Sequence, residues 1–195
     1  LYAANVAVLA SYGIPVDDTP YLPAFRPDWR EMYRVLGVPA DRVEEAGTRW
    51  TRAYGTGDEA VVYPGVPEAL ERLASAGYRL GVVTAGDRAI VTEQAARFGI
   101  DHLLPERVHG DDMPESKPHP APLLRALSEL GVTDPRRSVY LGDVGDDMRM
   151  ARAVGATGIG IEGRHGSATA LRRAGATEVH PSVVAWVERF LDGRP

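Results

Sequence analysis

The feature that most constrains this chain is a regular alternation that begins at Pro64 and runs to the end. Short runs rich in Leu, Val and Ile alternate with helical stretches, and glycines close the helices. Pro67 opens a helical stretch carrying Val66, Leu70 and Leu73, and Gly77 stops it. Residues 78–84 read as a buried strand. Asp87 is placed to cap a helix running through Phe98, which Gly99 ends. A short apolar piece follows near Val108. Pro118 and Pro120 are expected to begin a helix carrying Leu123, Leu124, Leu127 and Leu130, stopped by Gly131. Residues 138–141 and 157–161 read as strands around a helix over 146–154. Ser167 caps another helix that Gly175 ends, 178–180 form a short last strand, and 183–191 a closing helix. Strands separated by helices predict an α/β fold, a doubly wound parallel sheet with helices on both faces. Ligands in such sheets bind beyond the carboxyl ends of the strands. The residues just after each strand are therefore the first candidates for a site.

Residues 1–62 differ. The spacing of Val6 and Leu9 predicts a helix over 1–12, ended by Gly13; 14–27 is Pro-rich and loop-like. Helices are expected over 30–36 and 41–54, with Trp29, Tyr33 and Trp50 as apolar anchors. No strand is evident. The expected organisation is a small helical unit, 1–62, followed by an α/β core, 63–195.

Composition narrows the function. The 195 residues are 44% hydrophobic and 25% charged, ordinary for a globular protein, with no apolar run long enough for a membrane helix. With no cysteine, disulfides, thiolate metal sites and thiol nucleophiles are all excluded, and a cytoplasmic location is expected. A net charge of −5 sets nucleic acid and anionic membranes aside as partners. Oligomeric state is not readable. The basic residues are lopsided: 21 of 22 are Arg, and Lys117 is the sole lysine. A lysine is a compact point charge where arginine is a planar fork.

Three features sit at expected strand ends. Thr84-Ala85-Gly86-Asp87 follows the first strand. It can present a hydroxyl and the amides of Ala85 and Gly86 to a phosphate at a helix start, or it is a strand-to-helix turn with a cap. Ser116-Lys117-Pro118 stands at an expected helix start, where the dipole disfavours a cation unless a ligand needs it. Gly142-Asp143-Val144-Gly145-Asp146-Asp147 follows the third strand. Three carboxylates so close repel one another unless a cation lies among them, and hard oxygen donors suit Mg²⁺. The plainer alternative is a helix start using Asp146 and Asp147 against its dipole. A phosphate beside two carboxylates is self-repelling, by about 4 kcal/mol per unit pair at 4 Å and an effective dielectric of 20. A divalent ion and one lysine offset that charge.

In order and spacing, Thr84 after a strand, Lys117-Pro118, and Gly142-Asp143-x-x-x-Asp147 resemble the second, third and fourth motifs of the haloacid dehalogenase superfamily. The chain looks most like its helical-cap phosphatases, such as phosphoglycolate phosphatases. Supporting stretches are 63–66, 110–112 and 151–155. The resemblance implies a Rossmann-like core with an all-helical cap and Mg²⁺-dependent hydrolysis of a small phosphomonoester through an aspartyl-phosphate. It implies that Thr84 hydrogen-bonds the transferring group and that Lys117 bridges it to the nucleophile. Asp143 would bind Mg²⁺ directly. Asp147 would bind it through water or orient Lys117. Residues 1–62 would be the cap.

The family's first motif, an aspartate nucleophile with a second aspartate two residues on, is not found; it would lie on a central strand upstream of the cap. Without that strand the sheet is expected to have a gap between the strands ending at Thr84 and Leu141, and a chain starting at Leu1 is expected to be catalytically inactive. Rival readings are a phosphosugar mutase, a metal-free haloacid dehalogenase, against which the acidic fourth motif argues, and a non-catalytic binding relative. Gly158-Ile-Gly160-Ile-Glu-Gly163 matches a dinucleotide-binding pattern but overlaps a strand, so nucleotide binding is not expected there. His165 is expected in a surface loop, Asp111 and Asp112 in a solvated loop, and Arg88 in an exposed first helical turn.

Overall fold

The structure, a computed structural model, describes residues 2–16, 24, 28–55, 60–163 and 165–193. The chain divides into two compact units, Leu1–Ala60 and Val61–Pro195. Most of the Pro-rich stretch 14–27 lies outside the described residues.

The first unit is helical: α1 (Tyr2–Ala10), α2 (Trp29–Val35) and α3 (Val43–Tyr54). A 3₁₀ turn, Ala40–Arg42, leads into α3. Asp28 starts α2 by accepting from the Arg30 and Glu31 amides at 3.0 and 3.2 Å. Val8, Leu9, Met32, Tyr33, Val38, Val43 and Ala46 form the core. The buried polar pair Tyr33 and Asn5 is satisfied, since Tyr33 donates to Asn5 Oδ1 at 2.8 Å. Gly47, inside α3, lies under the Trp29 ring, which a Cβ there would meet at 2.6 Å. That packing explains a mid-helix glycine, which otherwise costs about 1 kcal/mol.

The second unit runs α4 (Val66–Ser75), β1 (Gly81–Val83), α5 (Arg88–Arg97), β2 (Glu106–Val108), α6 (Ala121–Glu129), β3 (Val139–Gly142), α7 (Gly145–Val154), β4 (Thr157–Ile161), α8 (Ala168–Ala174), β5 (Glu178–His180) and α9 (Val183–Asp192). The strands are shorter than the apolar runs suggest. Only three residues of 78–84 are strand, while Tyr78 and Leu80 pack against the helix core. Helix α6 begins at Ala121 rather than Pro118, with Pro120 at its N-cap.

Strand pairing is parallel throughout, in two sheets: β1–β2, and β3–β4–β5. Between β1 and β3 there is no ladder, but the Tyr140 hydroxyl donates across to the Val83 carbonyl at 3.0 Å. Alternation along the strands loads two opposite cores. Tyr140 faces Val83, Val108, Leu123, Leu127 and Met150 on one side. Leu141, Ile159 and Ile161 face Leu73, Trp186 and Val187 from α4 and α9 on the other. The glycines of the 158–163 run are packing residues. A Cβ at Gly158 would meet Met148 at 3.3 Å and one at Gly160 would meet Leu171 at 3.1 Å, so they let α7 and α8 approach β4.

Candidate active site

The site gathers at the carboxyl ends of β1, β2 and β3, and its centre is Asp147. This residue lies in the first turn of α7, only 2% exposed. Its Oδ2 accepts the Asp143 and Val144 amides at 3.1 and 3.2 Å, closing the start of its own helix. Its Oδ1 receives Lys117 Nζ at 2.8 Å and faces the Tyr140 hydroxyl at 3.4 Å. A carboxylate has about four lone-pair directions; Lys117 and the two amides take three of them, and the Tyr140 oxygen lies against the fourth. The arrangement needs Gly142: any Cβ there would overlap the Asp147 side chain.

Lys117 is held by this carboxylate and not by a helix end. Its side chain is 13% exposed and Asp147's is 3%, a charge pair shielded from water. Lys117 does not stand at the expected helix start: it lies four positions before α6, in a turn, and its partner comes from 30 residues further on.

Asp143 follows at the end of β3, a solvent-exposed residue whose carboxyl is nonetheless crowded by protein atoms. Burial first, then the charge of Asp147, pushes it above the ordinary aspartate range, while His165 and Lys117 pull it down. The loop Gly163–Gly166 closes against it, since a Cβ at Gly166 would strike the Asp143 carbonyl. His165 therefore sits beside the site. Tyr140 is pushed well above its usual range, by burial first and then by Asp147 and Asp143, and stays a protonated donor. Its one hydrogen serves the nearer acceptor, the Val83 carbonyl. Sequence reading missed Tyr140; its inward position on β3 was the only available signal.

Thr84 directly follows Val83. Its amide extends the β1–β2 pairing by donating to the Val108 carbonyl at 2.9 Å. Its Oγ1 accepts the Gly86 amide at 3.0 Å, so that amide is occupied and the hydroxyl hydrogen remains to be donated. Gly86 in turn accepts from the Gly110 amide at 3.1 Å. Asp87 precedes α5 without a side-chain cap bond, and its carboxyl is raised by burial and by Asp111.

Asp112 departs from the expected solvated loop: its side chain is 6% exposed, between Arg88 and His109. Burial alone would raise its carboxyl. The His109 amide, Arg88 and the His109 ring outweigh that and hold it at about 2. Arg88 is exposed, as expected, but engaged.

The contacts thus link Lys117, Asp147, Tyr140 and Val83, the neighbour of Thr84, in one chain, with Asp143 bonded to Asp147 through its amide. Among the described residues no three His, Asp or Glu side chains gather as a ready-made metal site, and a cation here would rest on one or two carboxylates. Asp143 is the carboxylate that keeps solvent access, and its raised proton affinity beside Asp147 is what a cation would relieve. Asp147, already holding Lys117 and two amides, suits an orienting or water-mediated part.

Residues 2–161 match the sequence profile of the family described as haloacid dehalogenase-like hydrolase. The chain is 35% identical over 144 residues to a phosphoglycolate phosphatase of Haemophilus influenzae, covering 73% of this chain and 64% of that relative's length. In fold it is similar to a haloacid dehalogenase-like family hydrolase of Streptococcus pneumoniae, with TM-score 0.82, 22% identity, and 97% and 89% of the two chains covered. It is also similar in fold to a β-phosphoglucomutase of Clostridium difficile, with TM-score 0.78, 16% identity, and 98% and 87% covered.

Proposed function

The chain belongs to the haloacid dehalogenase-like hydrolases, and from that premise we propose that it carries the phosphate-handling part of a Mg²⁺-dependent phosphatase for small phosphomonoesters. The observation that carries the reading is the buried Lys117–Asp147 pair at 2.8 Å, joined through Tyr140 to the strand that ends at Thr84. A buried ion pair is weak support for stability, because desolvation consumes most of the attraction. A fixed cation at a strand end, by contrast, serves a ligand that is itself strongly anionic.

In the proposed reaction an aspartate oxygen forms a bond to phosphorus as the bond to the alcohol oxygen breaks, and the alcohol takes a proton from the second aspartate of the family's first motif, which the attacking water later restores. Water then attacks phosphorus and frees the carboxylate with release of inorganic phosphate. The attacking aspartate belongs to the family's first motif, and no residue of this sequence is assigned that role. Thr84 donates its hydroxyl hydrogen to the transferring group, with the Ala85 amide lining the turn and the Gly86 amide holding Thr84 Oγ1 in place. Lys117 neutralises charge between that group and the nucleophile, and Asp147 holds the ammonium in place. Asp143 would hold Mg²⁺, with Asp147 acting on it through water. Bound there, the ion would neutralise phosphoryl oxygens and lessen the repulsion from the carboxylates. Residues 1–62 carry the cap role that selects substrate.

Phosphoglycolate is the first substrate to try, because a 35% identical relative bears that name. The test uses the intact protein with phosphoglycolate and with p-nitrophenyl phosphate, measuring Mg²⁺-dependent phosphate release. Lys117→Ala or Asp143→Asn is expected to lower kcat by at least about 100-fold, as loss of one charge-stabilising group does. Unchanged rates in both variants would overturn the reading. Phosphoryl transfer between sugar positions without phosphate release would favour a mutase.

A further inference from the structure

The Thr84 turn is held from outside as well as by β1. Gly110, two residues past β2, packs so closely on Ala85 that any Cβ would overlap the Ala85 carbonyl, and its amide reaches Gly86 O. One carboxylate secures this contact from beyond the turn. Asp112 Oδ1 accepts Arg88 Nε at 3.1 Å and Arg88 Nη2 at 2.5 Å. Arg88 is the first residue of α5, immediately after Thr84-Ala85-Gly86-Asp87. Asp112 Oδ2 accepts the His109 amide at 2.9 Å and faces His109 Nδ1 at 3.2 Å. The neighbouring Asp111 Oδ1 takes the Arg88 amide at 3.0 Å. The His109 side chain is 1% exposed, a buried brace behind the carboxylate. Five residues past Asp112, the same loop delivers Lys117.

We propose that Asp112 is a positioning residue of the phosphoryl-transfer site: by fastening the loop that carries Lys117 to the helix start behind Thr84, it sets where the Thr84 hydroxyl stands relative to the Lys117 ammonium. This rests on the phosphatase reading above. Asp112 touches no reacting atom; it acts through Arg88 on one loop and through His109 on the other. The exposed half of the clamp distinguishes positioning from mere support. The Arg88 side chain is 54% exposed, and exposed arginines contribute little to global stability. Removing it disturbs the turn without unfolding the unit.

The test measures inorganic phosphate affinity by calorimetry, together with kcat and KM for p-nitrophenyl phosphate, in the intact protein. The variants are Arg88→Ala, Arg88→Lys, Asp112→Asn and the Arg88→Ala/Asp112→Asn pair, with Lys117→Ala alongside. Arg88→Ala and Asp112→Asn are each expected to weaken phosphate binding and raise KM by about three- to tenfold, at a melting temperature close to wild type for Arg88→Ala. The pair is expected to do no more than either change alone, as for residues acting through one contact. Arg88→Lys keeps the cation without the fork and recovers part of the loss. A folded Arg88→Ala protein with wild-type phosphate affinity and KM overturns the proposal, as do effects that add in the pair. If Lys117→Ala also changes nothing, the phosphatase reading itself has failed; if Lys117→Ala alone is impaired, only the role of Asp112 has.

Discussion

Asp147 occupies space that Gly142 leaves by having no side chain. A Cβ at residue 142 would fall inside the Asp147 side chain, so the strand end and the helix carboxylate are fitted to each other. Gly142→Ala must push Asp147 away from Lys117 or bend the end of β3. Overpacking of this kind costs about 1–3 kcal/mol. The expected outcome is a lower melting temperature together with loss of phosphatase activity comparable to that of Lys117→Ala. A Gly142→Ala protein with wild-type stability and rate would show that Asp147 has room the geometry does not indicate.

Lys117→Ala leaves Asp147 as a buried carboxylate without its cation. Loss of one partner of a buried pair costs about 3–5 kcal/mol, and here the Asp143 and Val144 amides still hold Oδ2. The lower end, about 3 kcal/mol, is expected in urea denaturation. A loss below about 1 kcal/mol would mean that the pair is solvated in solution.

Tyr140→Phe separates the contributions along the chain of contacts. It removes the bond to the Val83 carbonyl at 3.0 Å and the weaker approach to Asp147. A net cost of about 1 kcal/mol is expected. Asp147 keeps Lys117 and both amides, so kcat should fall by less than about tenfold, against at least about 100-fold for Lys117→Ala. Equal losses in the two variants would place the tyrosine hydroxyl in the chemistry itself.

Much of this is legible in the sequence, for local reasons. Gly77, Gly99, Gly131, Gly155 and Gly175 all adopt positive φ where the sequence has them ending helices, a conformation glycine takes at little cost. Ser167 caps α8 through its own hydroxyl, as its place in the sequence suggests. What stayed hidden depends on contacts distant in sequence. Lys117 stands out as a lone lysine, yet the helix start that would explain its position lies at Ala121, where α6 begins. Its partner is set by how β3 and α7 fold back on it. Asp112 looked like one more acid in a loop, because nothing local says that Arg88, 24 residues earlier, covers it. Nothing local marks Tyr140; only the sheet arrangement shows what its hydroxyl spans.

A divalent cation should stabilise the intact protein through Asp143. The crowding that raises the proton affinity of Asp143 is unfavourable to its charged form, and a bound cation reverses the sign of that interaction. At a Mg²⁺ concentration 100 times its Kd, about 2.7 kcal/mol of added stability is expected. Differential scanning calorimetry with Mg²⁺ and with a chelator reads this directly. Asp143→Asn should remove the difference, and a cation-dependent shift that survives Asp143→Asn would place the ion elsewhere.

Acid should dissolve the Asp112 clamp only at the far end of the pH scale. Its carboxyl lies at about 2, below the ordinary 3.8. A depressed carboxyl contributes stability that is complete above the unfolded value and is lost as pH falls through the folded one. The contribution should therefore be constant from neutrality down to about pH 4 and fade between there and about pH 2. Asp112→Asn removes hydrogen bonds to a charged group, worth about 1.5–3 kcal/mol, so wild type and variant should differ by that order at pH 6. Urea denaturation at pH 6, 4, 3 and 2 should show the two curves converging only below pH 4. A difference already lost at pH 5 would mean that Arg88 and His109 do not hold Asp112 as the structure has them.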